Sequence, residues 1–106
     1  MLWTIEVSPE VDDWYQLLSV PETVRVDAVI ERLATRGNQL GMPHSRALGS
    51  GLYELRFNLS KRAQRITYVF DLDRRVITLT VFHKQRNNEK REILRARRAQ
   101  RDLRRE

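Results

Sequence analysis

Residues 51–84, GLYELRFNLSKRAQRITYVFDLDRRVITLTVFHK, alternate apolar and polar side chains, with interruptions only at SKRA and DLDRR. A period of two marks half-buried strands, because successive side chains point to opposite faces of a sheet. Tyr53, Leu55, Phe57 and Leu59 share one parity, as do Ile66, Tyr68, Phe70 and Leu72, and then Ile77, Leu79 and Val81. Three strands are therefore predicted, with these sets turned toward a helical layer. If Asp73-Arg74 is a two-residue turn, Phe70 falls opposite Ile77, Tyr68 opposite Leu79 and Ile66 opposite Val81. If SKRA joins the first two strands, Phe57 meets Ile66 and Leu55 meets Tyr68. A one-residue slip would turn all of these groups into water.

The opposite face follows from the same register. Arg56, Thr67 and Thr80 form one row, Asn58, Arg65 and Phe82 the next, and Lys84 stands one pleat further along the last strand. Adjacent strands lie about 4.8 Å apart and alternate residues about 6.6 Å apart, so three long cationic side chains can reach one phosphate-sized ligand. A charge on an outer sheet face is as often simply solvated, and spacing alone leaves both readings open. Phe82, on the polar parity, either stacks on a base or is covered by a loop or the last helix.

Before this core, LWTIEVS (2–8) alternates as a strand burying Trp3, Ile5 and Val7. Ser8 as cap, Pro9 at the first helical position and acidic residues in the first turn predict a helix over 9–19, with Val11, Trp14, Tyr15 and Leu18 on one face. A second helix begins near Pro21, its stripe made of Val24, Ala28, Val29, Ile30 and Leu33, and ends near Arg36-Gly37, where Gly37 suits a left-handed cap. GNQLGMPHSRALGSG (37–51) reads as a surface connection. After the strands, Asn87 or Asn88 can cap a helix carrying Ile93, Ala96, Ala99 and Leu103 as a thin apolar stripe. The order is β-α-α-β-β-β-α, an α+β fold with the N-terminal helical pair on a mainly antiparallel sheet and a basic C-terminal helix, expected as a single domain over 1–106.

Composition narrows the function. The net charge is +6, but residues 1–50 carry four Lys/Arg against seven Asp/Glu, whereas 51–106 carry sixteen against seven. So basic a second half attracts phosphate polyanions, and the Arg91–Arg105 run is expected to contact one. The chain has no cysteine, so disulfides, thiolate metal sites and a cysteine nucleophile are excluded. Two histidines without a carboxylate cluster make no metal site, and no cofactor is expected. His83 and His44 are the residues whose type suits proton transfer near neutrality; His83 lies on core parity at a strand end, and His44 in the loop. The start lacks a basic, then apolar, leader, and no segment approaches the roughly 20 apolar residues of a membrane span, so a soluble cytoplasmic chain is expected.

LYELRF, RITYVFD and VITLTVFHKQ together resemble the RelE/ParE superfamily of type II toxins, especially its HigB-like, phage-derived branch. The resemblance runs along nearly the whole chain. It rests on an Arg ending YELR, an Arg opening the next strand and F-x-K ending the last. It implies a ribosome-dependent, metal-independent mRNA endonuclease, with the 2′-hydroxyl attacking the adjacent phosphate, and a cognate antitoxin, of helix-turn-helix type, as silencing partner. Carried over, Arg56, Arg65 and Lys84 match the family's basic active-site positions, with His83 as a candidate proton carrier. Lys61, Arg62, Phe82, Arg86, Lys90 and Arg91 are candidate contacts to mRNA and ribosome. The pattern departs from some relatives in having no Tyr after Phe82, and Gln85 where a second lysine is frequent. The competing functions are a ParE-like poison of DNA gyrase, a branch that usually lacks the full basic triad, and a nucleic-acid-binding module without activity.

Overall fold

The computed structural model describes residues 2–104. β1 (Thr4–Glu6) is followed by α1 (Pro9–Gln16), α2 (Val20–Arg36) and a short 3-10 turn at Gly37–Gln39, then β2 (Ser45–Gly49), β3 (Leu52–Leu59), β4 (Arg62–Asp71), β5 (Arg75–His83) and α3 (Glu89–Arg104). The five strands form one sheet in the order β1-β5-β4-β3-β2, with β1 parallel to β5 and every other pair antiparallel. Among the described residues no helix is long and apolar enough to cross a membrane.

Both faces of the sheet are covered. On one, α1 and α2 pack Val11, Val26, Val29 and Leu33 against Leu55, Phe57, Ile66, Tyr68 and Val76. On the other, Ala96 of α3 meets Leu52, Val69 and Leu79, with Ile77, Ala99 and Leu103 around them. Ser8 and Ser19 cap the two N-terminal helices. Ser19 makes a reciprocal capping box with Glu22, which starts α2 at Val20 and sets its phase. The buried stripe is therefore Val26, Val29, Ile30 and Leu33, spaced i, i+3, i+4, i+7, whereas Val24 and Ala28, expected inside, face solvent. Val7 is also exposed, because β1 ends at Glu6.

Two turns revise the expected register. Ser60 and Lys61 both have positive φ, 51° and 67°, forming a tight two-residue hairpin that pairs Leu55 with Ile66 and Tyr53 with Tyr68, two residues away from the expected match but on the same parity. The β4–β5 connection has three residues, Leu72, Asp73 and Arg74, so Phe70 meets Val76, and Leu72 is exposed rather than buried. The odd turn reverses parity along the first half of β5, sending Ile77 and Leu79 to the α3 side. An irregularity between Ile66 and Tyr68 then restores Ile66 opposite Val81. At that irregularity the Thr80 N–H donates to the Thr67 hydroxyl at 3.0 Å.

The segment expected as a loop contains β2. Its strand signal is weak because SRALG carries few β-forming side chains, and its order comes from outside it. β2 pairs with β3, and Arg97 of α3 donates to the carbonyls of Leu48 and Gly49 at 2.6 and 2.7 Å. Ser45 is hydrogen-bonded to the Tyr68 phenol at 2.5 Å.

Burial pushes the Tyr68 phenol up to about 12 from the ordinary 10, with the Ser45 bond acting the other way. The folded chain therefore holds this proton across a window in which the unfolded chain releases it. Stability is complete below pH 10 and falls as pH rises toward about 12, by on the order of 2 kcal/mol. Denaturant unfolding across this range is expected to show that fall, and Tyr68→Phe to flatten it.

Candidate active site

β3, β4 and β5 bring Arg56, Arg65 and Lys84 onto the α3 side of the sheet. Arg65 lies opposite Phe82 as expected, and Arg56 lies directly opposite Arg65, a closer arrangement of the two arginines than the offset rows expected from the sequence. The Lys84 N–H donates to the Ala63 carbonyl at 2.7 Å. The strand geometry thus continues past His83 and sets Lys84 one pleat, about 6.6 Å, from the arginine row.

At the centre lies Glu54, which sequence reasoning did not single out. It pairs with Arg46 on β2 and Thr67 on β4, and is fully buried. Arg56 Nη1 donates to its Oε2 at 3.2 Å, and Arg65 Nε stands 3.7 Å from the same oxygen. Access is graded: Lys84 is exposed, the Arg56 side chain is 23% exposed and that of Arg65 7%. Arg65 Nη1 donates to the Gln64 carbonyl at 2.9 Å. Burial, then the like charge of Arg56, pulls the Arg65 guanidinium below the usual arginine value, while Glu54 and Glu89 oppose that shift. Two cations held this close gain from a further anion.

Arg46 adds a fourth cation on the same face and reaches α3 through an ion pair with Glu89 at 3.4 Å. It was hidden by the reading of 37–51 as a loop. Glu54 had a visible signal: in YELR it stands two residues before Arg56, so strand parity puts both on one face.

The other expected site residues separate. His83 pairs with Gln64 and lines a cleft on the α1–α2 side with Trp14, Leu18 and Glu22, with Gln85 at 2.7 Å from its Nε2, so it does not meet the basic cluster. Core parity holds at this strand end. Phe82 is 8% exposed, so it is no open stacking platform. Lys61 and Arg62 are exposed at the β3–β4 hairpin, and Arg62 lines the same cleft as His83. Arg86 and Lys90, with Arg46 and Lys84, border an open groove of about 710 Å³ beside Ile93 and Leu94; Arg91 is exposed on the first turn of α3. Parts of the arginine run have structural partners: Arg95 pairs with Glu10 and Glu92, and Arg97 holds β2. Among the described residues no group of three or more His, Asp or Glu could hold a metal ion.

Residues 13–101 match the model of a family described as phage-derived protein Gp49-like (DUF891). The chain belongs to this family. The match runs from within α1 into α3 and contains Arg46, Glu54, Arg56, Arg65 and Lys84. No curated protein matches this Gp49-like chain. Among solved structures it is similar to the E. coli toxin RelE, a mutant in the free state, at 11% identity over 91% of this chain and 94% of that one, with a TM-score of 0.63. It is also similar to the toxin–antitoxin complex RelBE2 from Mycobacterium tuberculosis, at 18% identity over 79% of this chain and 100% of that one, with a TM-score of 0.54. The Gp49-like chain thus has the RelE-like fold.

Proposed function

We propose that this Gp49-like chain is the toxin of a type II toxin–antitoxin pair, of the HigB-like branch, and that it cleaves mRNA on the ribosome. The observation that carries this reading is the pairing of Arg56 with Arg65 beside Lys84, around one buried carboxylate and next to an open basic groove. The similarity to proteins described as a toxin and a toxin–antitoxin complex supports the class.

The chemistry follows from charge. The 2′-hydroxyl gives up its proton to water as its oxygen attacks the adjacent phosphorus, the bond from phosphorus to the 5′-oxygen breaks, the leaving oxygen takes up a proton, and a cyclic phosphate and a 5′-hydroxyl result. The transition state carries more negative charge on the phosphoryl oxygens than the substrate does, so preorganised cations stabilise it preferentially. Arg56 and Lys84 are accessible and contact the phosphate, with Arg65 adding charge from the floor. Arginine is a poor proton carrier, whereas a lysine ammonium can protonate the leaving oxygen, a role assigned here to Lys84. Arg46, Arg86, Lys90 and Arg91 would track the flanking backbone along the groove. A cognate antitoxin protein silences the activity.

Induction of the chain in cells, with mRNA 5′ ends mapped within minutes, tests the reading. New ends inside translated frames are expected, and Lys84→Ala, an exposed substitution that leaves the fold intact, should reduce them on the order of 10²-fold. Growth arrest with intact messages would defeat the nuclease and direct the search to gyrase.

A further inference from the structure

Glu54 is costly where it stands. A carboxylate with no exposed surface loses its solvation by water, and an apolar side chain in its place would serve stability as well or better. Its pairing is also incomplete. Oε1 has no hydrogen-bond partner among the described residues, nor has Arg65 Nε, which stands 3.7 Å from Oε2. A group kept only to stabilise the sheet would be expected to use both oxygens.

What Glu54 does have is position. It precedes Arg56 by two residues on one strand face and lies diagonal to Arg65 on the next strand, so both guanidinium groups point back to one oxygen. Arg46, directly opposite on β2, turns its guanidinium to Glu89 of α3 instead, so Arg56 and Arg65 are the two cations gathered on Glu54. We infer that Glu54 is a positioning residue: its carboxylate holds the Arg56 and Arg65 guanidinium groups at the spacing the reacting phosphate needs, and offsets part of their charge so that RNA is not bound too tightly in its ground state. This rests on the nuclease reading above.

The inference separates binding from chemistry. Without the carboxylate charge, the site gains net positive charge and should hold an RNA backbone more tightly, while the arginines lose the group that orients them and the transition state loses stabilisation. Loss of packing alone would weaken both together.

The test uses the full chain on ribosomes programmed with mRNA, with Glu54→Gln and Glu54→Asp beside the wild type. Affinity is read with an mRNA carrying a 2′-deoxy nucleotide at the cleavage position, and chemistry by single-turnover cleavage of the unmodified message. Glu54→Gln is expected to bind about tenfold tighter and to cleave on the order of 10²-fold more slowly. Glu54→Asp keeps the charge but draws the carboxylate back, so it should bind like the wild type and cleave more slowly. It also carries the test if Glu54→Gln folds poorly. Binding and cleavage that fall together in Glu54→Asp, or cleavage unchanged in a folded variant, would overturn the inference. A wild-type chain that binds the deoxy message yet cleaves nothing would defeat the nuclease reading instead; the affinity of Glu54→Gln then decides whether the carboxylate tempers binding.

Discussion

Arg65→Ala is expected to abolish most cleavage and to weaken the fold at the same time. Removing a preorganised cation from a phosphoryl-transfer site costs on the order of 10²–10³ in rate. The second effect comes from Glu54, which keeps the Arg56 bond but loses the cation beneath it; breaking a buried pair in this way costs about 3 kcal/mol. The two losses can be pulled apart. Adding Glu54→Gln to Arg65→Ala removes the uncompensated charge and should recover most of the stability, measured by denaturant unfolding, with no return of cleavage. Arg56→Ala should behave differently. It removes the hydrogen bond to Glu54 Oε2 and leaves Arg65 3.7 Å from that oxygen, but its own position is partly exposed, so water can take its place at the carboxylate and cleavage falls with a smaller change in stability.

The second large effect lies far from the basic face. Gly37 caps α2 with φ 51° and ψ −128°, a conformation that glycine adopts readily and residues with a Cβ rarely do. A Cβ there would lie 1.9 Å from Trp3 Nε1. Trp3 has little freedom to yield: its backbone N–H donates to the Ala34 carbonyl at 2.8 Å, its ring packs 5.0 Å from Phe70, and Arg74 lies over it at 4.7 Å. Gly37→Ala therefore combines backbone strain with overpacking and should cost about 3 kcal/mol, lowering Tm on the order of 15 °C. Cleavage per folded molecule should be unchanged, which makes this variant the control for stability loss without loss of the site.

The contrast between these positions explains how much was legible beforehand. Strand parity alone placed Arg56, Arg65 and Lys84 on one face, since a period of two survives a shift of register by two, as occurs between β3 and β4. It failed on β5, where one additional turn residue and a later irregularity exchange the faces of Ile77 and Leu79. Turn length in DLDRR depends on the positive φ of Asp73 and Arg74, residues that do not announce it as glycine would. β2 escaped notice because its order is imposed by β3 and by Arg97 rather than by its own residues. Arg46 escaped with it.

Charge was legible as a total and misleading in detail. The C-terminal run reads as a polyanion contact, yet Arg95 and Arg97 are engaged in ion pairs or carbonyl bonds that tie α3 to α1, β5 and β2. Conversely, Glu54 reads as one acid among many. Its importance is a matter of burial, which a strand covered on both faces creates and a local pattern does not display. Phe82 and His83 illustrate the same limit. The first is on the site's face but covered, and the second keeps its core parity to the end of the strand.

The most direct test of the central claim is the chemistry of the broken ends. Purified chain is mixed with ribosomes carrying a defined message, and the cut termini are identified for the wild type and for Arg56→Ala and Lys84→Ala. The account expects a 5′-hydroxyl on one fragment, a cyclic or 3′-phosphate on the other, and no cut in a message with a 2′-deoxy nucleotide at the site, with both variants folded and nearly inactive. Termini bearing a 5′-phosphate, cleavage of the 2′-deoxy message, or full activity in both variants would contradict it.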